Sequence, residues 1–264
     1  MPKLSLEQRI VKCFRKACSD FRLIENNDFI LVALSGGKDS LCLLELLARQ
    51  SRIYQPRFRV EAVHVRMENI QYESNTSYLE NFCAELGVRL HVLTTHFDVS
   101  QSPTSEPLSK KKLHKQKTPC FLCSWNRRKQ IFNLAQTLGC NKIALGHHMD
   151  DILHTALMNE FFQGRFEGMP VRLKMKKMPL TIIRPLCLCH EGAIKAYAEE
   201  RQYMKQVKHC PYEHDTHRRA IASLFKQVEQ MNDEARFSLW NALQKAGKLV
   251  DDAEPQVEAP TSNQ

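Results

Sequence analysis

Short runs of apolar or alternating residues are separated by longer segments in which apolar residues recur every three or four positions. The clearest run, Phe29–Leu34, is apolar throughout, as expected of a strand buried on both faces of a sheet. Comparable runs follow along the middle of the chain. The pattern predicts five strands, at 29–34, 58–65, 89–94, 142–147 and 181–186.

The segments around these strands have the period of an amphipathic helix. Leu41, Leu44 and Leu47 recur at helical spacing after the first strand, for example. Helices are predicted at 5–23, 39–50, 75–87, 191–201, 214–231 and 234–247, from near Cys120, and from Asp150 to about Phe162. This alternation predicts an α/β fold, a parallel five-stranded Rossmann-like sheet with helices on both faces and added N- and C-terminal helices.

The chain of 264 residues is long enough to bury one full core, and no second large domain is needed. We expect an N-terminal amphipathic helix in 1–24, one α/β domain in 25–205 and a helical extension in 206–250. The last residues, 251–264, are acidic, contain proline and have few large apolar side chains, so they are predicted to be disordered.

Composition also indicates a compartment. No apolar run is long enough to span a bilayer, and the first residues open a charged amphipathic helix rather than a secretory signal. The sequence therefore predicts a cytoplasmic protein. Ten cysteines in such a chain favour metal or redox chemistry by a subset of them over a disulfide framework.

The formal net charge of +9 is unevenly distributed and indicates a polyanionic partner. Any single cluster is more often a solvated surface, but several lie in or beside predicted loops that could hold a long substrate by its phosphates. The residues predicted to bind it are Lys110, Lys111, Lys112, Arg127, Arg128, Arg218 and Arg219.

The corner between the first strand and the first sheet helix has the composition of a phosphate-binding turn. Its sequence is Ser35-Gly36-Gly37-Lys38-Asp39-Ser40. Two glycines let the backbone approach an anion, the helix N-terminus adds N–H donors, and Lys38 adds a full positive charge. The alternative is a simple Gly-Gly turn capped by serine. The six residues resemble the pyrophosphate loop of N-type ATP pyrophosphatases, which implies that ATP is cut between its α and β phosphates.

Other polar residues fall at the carboxyl ends of the predicted strands, where active sites of parallel sheets form. His64 ends the second strand, His147 to Asp151 follow the fourth, and Arg184 lies in the fifth. Asp150 and Asp151 are candidate Mg²⁺ ligands together with Asp39, and the alternative is that one of the pair caps the following helix. His147 and His148 either orient a ligand or are simply hydrogen-bonded.

Cys120 and Cys123 have the C-x-x-C spacing of a metal-binding or redox pair within basic surroundings. Cys210, at a turn far along the chain, is a third candidate ligand, and a free thiol is the alternative. Cys187 and Cys189 are interpreted as packing residues, although either could complete a four-cysteine zinc or iron–sulfur site.

Taken in order, these motifs resemble tRNA 2-thiocytidine synthetases over roughly residues 25–230. The matching motifs are the pyrophosphate loop, Cys120 and Cys123, Gly146–Thr155, Gly164–Pro170 and Ile183–Leu186. The resemblance implies a PP-loop ATP pyrophosphatase fold, a homodimer, and adenylation of C2–O of a cytidine in the anticodon loop, followed by replacement with sulfur.

The resemblance also implies the cofactors and the roles of the site residues. Cys120, Cys123 and Cys210 would hold a [4Fe–4S] cluster with one iron open for sulfide, delivered by a donor such as a cysteine desulfurase. ATP and Mg²⁺ would bind at the loop, with Lys38, Asp39 and Asp151 in catalytic roles. Ser35 to Ser40, His64 and Gly146 would contact the nucleotide.

Three other functions stay open at this point. A tRNA lysidine synthetase also adenylates cytidine but needs no cluster, so Cys120, Cys123 and Cys210 argue against it. The turn Tyr212–Asp215 is bulkier and more acidic than expected, which leaves room for thiolation of another tRNA nucleoside. A non-catalytic iron–sulfur protein that binds RNA would not need an intact pyrophosphate loop.

Overall fold

The computed structural model describes residues 4–68, 70–72, 76–96, 119–204, 208–209 and 216–252. Three predictions lie outside these ranges: the basic cluster Lys110–Lys112, the cysteine at position 210, and residues 253–264 of the predicted tail. The other candidate residues are all described.

A seven-stranded sheet forms the centre of the described part of the chain. Its strands are β1 (Phe29–Ala33), β2 (Arg59–Met67), β4 (Arg89–Thr95), β5 (Lys142–Ala144), β6 (Arg172–Lys174), β7 (Thr181–Ile183) and β9 (Val250–Asp251). Their spatial order is β4-β2-β1-β5-β7-β6-β9. The predicted α/β class is confirmed, but the sheet has seven strands rather than five.

The additional strands explain the difference. β6 pairs antiparallel with β7, and β9 pairs with β6, whereas the five predicted strands pair in parallel. A separate pair joins β3 (Gln71–Tyr72) to β8 (Lys208–His209). These strands have two or three residues each, too few for a period to show in the sequence. Asp251 belongs to β9 and Asp252 pairs with Arg172, so the first two residues of the predicted tail are ordered.

Eight helices are found in the described ranges. They are α1 (Leu6–Asp20), α2 (Lys38–Ser51), α3 (Ser77–Glu85), α4 (Pro119–Leu138), α5 (Met149–Gln163), α6 (Glu191–Glu200), α7 (Thr216–Met231) and α8 (Ala235–Lys245). Each predicted helix is present within a few residues of its expected bounds. α1 begins where it does because the Ser5 hydroxyl accepts from the N–H of Gln8, whose side chain accepts from the N–H of Ser5.

The core lies on both faces of the sheet. Residues Ser40–Ala48 of α2 are all buried, because α2 packs between the sheet on one side and α1 and α6 on the other. On the opposite face, Ile131, Leu134 and Leu138 of α4 pack against the sheet. The described helices include none long and apolar enough to cross a membrane.

The connections place the carboxyl ends of β1 and β5 side by side. From β1 the chain crosses through α2 to β2 on one side, while β5 pairs with β1 on the other side. Such a point, where the strand order reverses, opens a crevice at the carboxyl edge of an α/β sheet. The segments that follow β1 and β5 carry the predicted phosphate loop and the His147–Asp151 segment.

Candidate nucleotide-binding site

The loop after β1 is held in a conformation that exposes helix N–H donors. Gly36 has φ 81°, which a side chain rarely adopts, and Gly37 is the N-cap of α2. The Ser40 hydroxyl donates to the Gly37 carbonyl at 2.9 Å, and the hydroxyls of Ser35 and Ser40 lie 3.1 Å apart. The Gly37 N–H is also 3.4 Å from the Ser35 hydroxyl. The loop is therefore preorganised at a helix N-terminus, as an anion site requires.

Lys38, the first residue of α2, lies between two carboxylates. Its ammonium is 3.2 Å from Asp39 and 3.2 Å from Glu191, the first residue of α6. Burial disfavours the charged lysine, but Asp39 and Glu191 outweigh it and raise the pKa of Lys38. The amine is therefore a charged group available to phosphate oxygens.

Gly146 brings the segment after β5 against the start of α2. A Cβ atom at this position would lie 3.1 Å from the carbonyl carbon of Asp39 and 3.1 Å from the Ser40 nitrogen. Glycine lets the two backbones approach this closely, and any larger residue would require one of them to shift. Two predicted strand boundaries differ in the structure. β5 ends at Ala144 rather than at residue 147, so Gly146 lies in the loop that follows it. β7 ends at Ile183, so Arg184 follows the strand rather than lying in it.

The adjacent histidines have opposite surroundings. His147 accepts a hydrogen bond from Arg184 Nε at 3.3 Å, and burial together with the Arg184 charge lowers the pKa of His147 to about 4. His148 is buried, which alone would lower its pKa, but the contacts with Asp150, Asp151 and Asp39 raise it. His147 is thus neutral at pH 7, whereas His148 is the more readily protonated of the two.

Neither Asp150 nor Asp151 is the N-cap of α5, because the helix begins at Met149 and His148 takes that position. Asp151, three residues on, accepts from the His148 N–H at 3.2 Å and lies 3.2 Å from Arg218. Asp150 is more fully engaged: it accepts from Arg236 at 2.6 Å and from the Glu191 N–H at 2.8 Å. Burial would raise the pKa of Asp150, but His148, the Glu191 N–H and Arg236 outweigh it and hold that pKa well below its usual range.

Besides His148 Nδ1, which lies 3.5 Å from an oxygen of Asp150, two buried acceptor atoms near the loop have no hydrogen-bond partner among the described residues. One is Asp39 Oδ1: Lys38 is 3.2 Å away but is aligned to donate to Oδ2. The other is His64 Nε2. His64 Nδ1 donates to the Leu34 carbonyl at 2.7 Å, which leaves Nε2 as a bare acceptor. Buried atoms of this kind are costly unless a ligand satisfies them.

His64 does not end its strand as predicted, because β2 continues to Met67. Its side chain is nevertheless beside Leu34, the residue that precedes the phosphate loop. Burial is the main cause that lowers the pKa of His64, with the charge of Arg127 as a smaller one. His64 is therefore neutral, and Arg127 of α4 reaches the same end of the sheet.

Cys120 and Cys123 occupy the first turn of α4, and neither forms a disulfide. The described residues contain no group of three His, Cys, Asp or Glu side chains arranged to hold a metal ion. Cys187 and Cys189 are completely buried, and burial contributes to raising the pKa of each thiol well above its usual value. Their surroundings favour the packing interpretation.

The structure also brings in residues that the sequence analysis did not select. Glu191 opens a helix after the strand β7, a position that could have marked it as part of the site. Arg236 lies in α8, far along the chain, and no local pattern connects it with Asp150. Arg218 was predicted to bind RNA, and in the structure it pairs with Asp151.

A family model described as a PP-loop domain matches residues 3–222 of the chain. A tRNA-cytidine(32) 2-sulfurtransferase of Bordetella avium is 33% identical over 242 residues, which cover 91% of this chain and 73% of that protein. The protein of the same name from Pseudomonas syringae pv. tomato is 31% identical over 240 residues, covering 90% of this chain and 84% of that protein.

Among solved structures, the U34-tRNA thiolase NcsA from Methanococcus maripaludis with its [4Fe-4S] cluster superimposes with a TM-score of 0.70. The sequences are 22% identical, and the superposition covers 92% of this chain and 80% of that one. At this identity the similarity is one of fold.

Proposed function

The chain belongs to the PP-loop family that includes the tRNA-cytidine(32) 2-sulfurtransferases, and from this we propose that it is an ATP-dependent tRNA sulfurtransferase. The resemblance noted in the sequence is thereby confirmed. The observation that carries the proposal is the preorganised phosphate loop beside two buried atoms that lack partners, Asp39 Oδ1 and His64 Nε2.

ATP binds with its β and γ phosphates at Ser35 to Ser40. The loop hydroxyls and the N–H groups at the start of α2 contact phosphate oxygens, and Lys38 offsets the charge that develops as the α–β bond breaks. Phosphate then replaces Glu191 as the partner of Lys38. His64 Nε2 accepts a hydrogen bond from a donor of the nucleoside, and Gly146 keeps the crevice narrow at its base.

Mg²⁺ fits best at Asp39 among the three predicted carboxylates. Asp39 pairs with Lys38 but keeps Oδ1 without a hydrogen bond, whereas Asp150 is held by Arg236 and the Glu191 N–H, and Asp151 by Arg218 and the His148 N–H. A divalent cation shared with ATP phosphates usually has one or two protein carboxylates and several waters. Asp151 remains the second candidate because it lies on the same side of His148 as Asp39.

Cys120, Cys123 and Cys210 are the residues proposed to hold a [4Fe–4S] cluster. With only three protein ligands, such a cluster supplies an open iron for the sulfide to be transferred. The first two cysteines are one helical turn apart at the start of α4, with Arg127 and Arg128 following them on the same helix. The positive charges favour the thiolate forms that metal binding requires.

In the proposed reaction, O2 of a cytidine, at position 32 by analogy with the relatives, attacks the α phosphorus. Pyrophosphate leaves, and the base carries AMP on the former carbonyl oxygen. Sulfur then bonds to C2 and AMP leaves with that oxygen, giving 2-thiocytidine. The base must leave its stack to reach the crevice, which is easier in a single-stranded loop than in a helix.

The partners of the reaction follow from this chemistry. We propose a cysteine desulfurase as the source of sulfur, with a thiol reductant that converts its persulfide to sulfide and is itself oxidised to a disulfide. We also propose a homodimer as the assembly and the cytoplasm as the compartment. The remaining predicted RNA contacts, Arg128 and Arg219, are exposed on α4 and α7. Arg127 and Arg218 contribute positive charge nearer the crevice.

The test is mass spectrometry of nucleosides from bulk tRNA after anaerobic incubation with the reconstituted protein, ATP, Mg²⁺ and sulfide. We expect 2-thiocytidine, and only when ATP is present. A different thionucleoside would correct the nucleoside while keeping the reaction. Conversion of ATP to AMP without sulfur incorporation contradicts the proposal.

A matched pair of variants tests the cluster ligands. Cys123→Ser should lower both the iron content and thiolation, because it removes one of three ligands. Cys18→Ser, a cysteine on α1, is the control and should retain both. Equal iron in the two variants would contradict the assignment of Cys123.

A further inference from the structure

Trp125 lies half exposed on the outer side of α4, although tryptophan is usually well buried. Its exposed fraction is 49%, and Phe121, one turn earlier on the same side, is 46% exposed. Lys129, one turn later, places its ammonium 5.4 Å from the centroid of the indole ring. A planar side chain with about half of its surface accessible can offer one face to a stacking partner.

The position of Trp125 relative to the sheet is fixed by a neighbouring residue of the same helix. Gln130 donates to the hydroxyl of Thr95, the last residue of β4, at 3.4 Å. α4 runs from the carboxyl edge of the sheet towards the amino edge, where it leads into β5. Trp125, five residues earlier, therefore lies about 7.5 Å nearer the carboxyl end of the sheet along the helix axis, and the crevice opens at that end.

The charge of α4 indicates the kind of partner. Within Pro119–Leu138 the helix has three basic residues, Arg127, Arg128 and Lys129, and no acidic residue. Arg128 and Lys129 lie three and four positions after Trp125 on the same side of the helix, so the aromatic ring and these two cations form one exposed surface. Aromatic side chains beside positive charge bind single-stranded nucleic acid, because bases stack on the rings while phosphates pair with the cations.

We propose that Trp125 is a stacking platform for an unpaired base of the substrate RNA, with Arg128 and Lys129 contacting the adjoining phosphates. The inference rests on the proposed function and adds how the RNA loop is held beside the crevice. Stacking is tolerant of base identity, so Trp125 contributes affinity for an unpaired loop rather than selection of one nucleoside.

The first test uses the fluorescence of the two tryptophans of the chain. Trp240 is 6% exposed and packs edge-on against Phe21, so an added RNA does not reach it. We expect a hairpin RNA with an unpaired loop the size of an anticodon loop to quench the wild-type protein. Trp125→Phe, which leaves only Trp240, should show no quenching. Equal quenching in both proteins overturns the proposal.

The second test measures the affinity of the whole chain for the same hairpin. Trp125→Ala should raise Kd about tenfold, whereas Trp125→Phe, which keeps an aromatic face, should retain most of the affinity. Tyr54→Ala is the matched control. Tyr54 is also exposed with a cation, Arg57, over its ring, but it follows α2 at the opposite edge of the sheet. Affinity of Trp125→Ala within twofold of wild type overturns the proposal.

A blunt RNA duplex of similar length separates stacking from simple charge attraction. Because its bases are paired, Trp125→Ala should bind the duplex as wild type does. An equal loss of affinity for duplex and hairpin would overturn the stacking role. Neither assay depends on sulfur transfer. Quenching by RNA without formation of 2-thiocytidine would therefore refute the proposed function and leave the role of Trp125 intact. Thiolation by Trp125→Ala at the wild-type kcat/KM would refute the role of Trp125 and leave the proposed function intact.

Discussion

Two carboxylates on α2 lie less than two turns apart and have opposite surroundings. Glu45 is 1% exposed and accepts hydrogen bonds from Tyr203 at 2.5 Å and Tyr197 at 3.1 Å, with Arg201 at 2.7 Å. Asp39, at the start of the helix, has one buried oxygen without any hydrogen bond from the described residues. Both oxygens of Glu45 have hydrogen-bond donors within the protein, whereas Asp39 pairs with Lys38 and keeps one oxygen without a hydrogen bond.

The different surroundings of the two carboxylates indicate different roles, one in stability and one in ligand binding. A buried carboxylate that is fully hydrogen-bonded joins α2 to α6 and stabilises the core, as Glu45 does. An unsatisfied buried acceptor costs about 1–3 kcal/mol, and it is retained where a ligand supplies the missing partner. The same helix therefore contributes to stability at its middle and to ligand binding at its N-terminus.

The largest effect is expected from Lys38→Ala. The variant loses the charge that offsets phosphate at the N-terminus of α2, so AMP formation should fall by roughly 100- to 1000-fold. The ion pair of Lys38 with Glu191, which is 56% exposed, contributes at most about 1 kcal/mol, so the midpoint of urea unfolding should change only slightly. AMP release at the wild-type rate would show that the loop does not hold the leaving pyrophosphate.

Exchanging the two carboxylates for amides should separate their roles. Glu45→Gln places an amide NH₂ group among the tyrosine hydroxyls that donate to the buried carboxylate, and should lower the free energy of unfolding by about 1–3 kcal/mol. Asp39→Asn should leave unfolding nearly unchanged but weaken Mg²⁺-dependent ATP binding. Urea unfolding and ATP titration of both variants test these roles. Loss of stability in Asp39→Asn but not in Glu45→Gln would contradict the assignment of Asp39 to ligand binding and of Glu45 to stability.

Gly146→Ala tests the close approach of the two backbones at the base of the crevice. The new Cβ would meet backbone atoms of Asp39 and Ser40, which must shift, and we expect KM for ATP to rise about tenfold. Gly192→Ala is the control because a Cβ there meets nothing within 4 Å. In α6 the alanine should even stabilise the fold by up to about 1 kcal/mol. Equal KM values in the two variants would contradict the steric argument.

A further prediction concerns the dependence of stability on pH. Burial and the charge of Arg184 lower the pKa of His147 to about 4 in the folded protein. Between pH 6.5 and pH 4 the unfolded chain therefore binds more protons at His147 than the folded protein does, so stability falls as the pH drops through this range. The loss is up to about 1.4 kcal/mol per pH unit. His147→Gln should unfold with a weaker dependence over this range, and identical slopes would contradict the buried neutral state.

Local patterns were sufficient for the main elements of the fold and for the phosphate loop. Apolar runs located the five parallel strands, and Gly36 marked the turn because the positive φ that it adopts is a local backbone requirement. The short strands β6 and β9 could not be predicted, since two or three residues carry no period and their pairing depends on distant partners. For the same reason, the sequence could not show that Asp150 pairs with Arg236. Nor could it show that one oxygen of Asp39 lacks a hydrogen bond while Glu45 is fully hydrogen-bonded.

The adenylation step can be followed by an oxygen label. The substrate is tRNA that carries ¹⁸O at C2 of the target cytidine, incubated with the protein, unlabelled ATP, Mg²⁺ and sulfide in ordinary water. Because the carbonyl oxygen attacks the α phosphorus and leaves with AMP, mass spectrometry should find one ¹⁸O in each AMP released, in step with 2-thiocytidine. Unlabelled AMP with thiolated tRNA would contradict adenylation of the base.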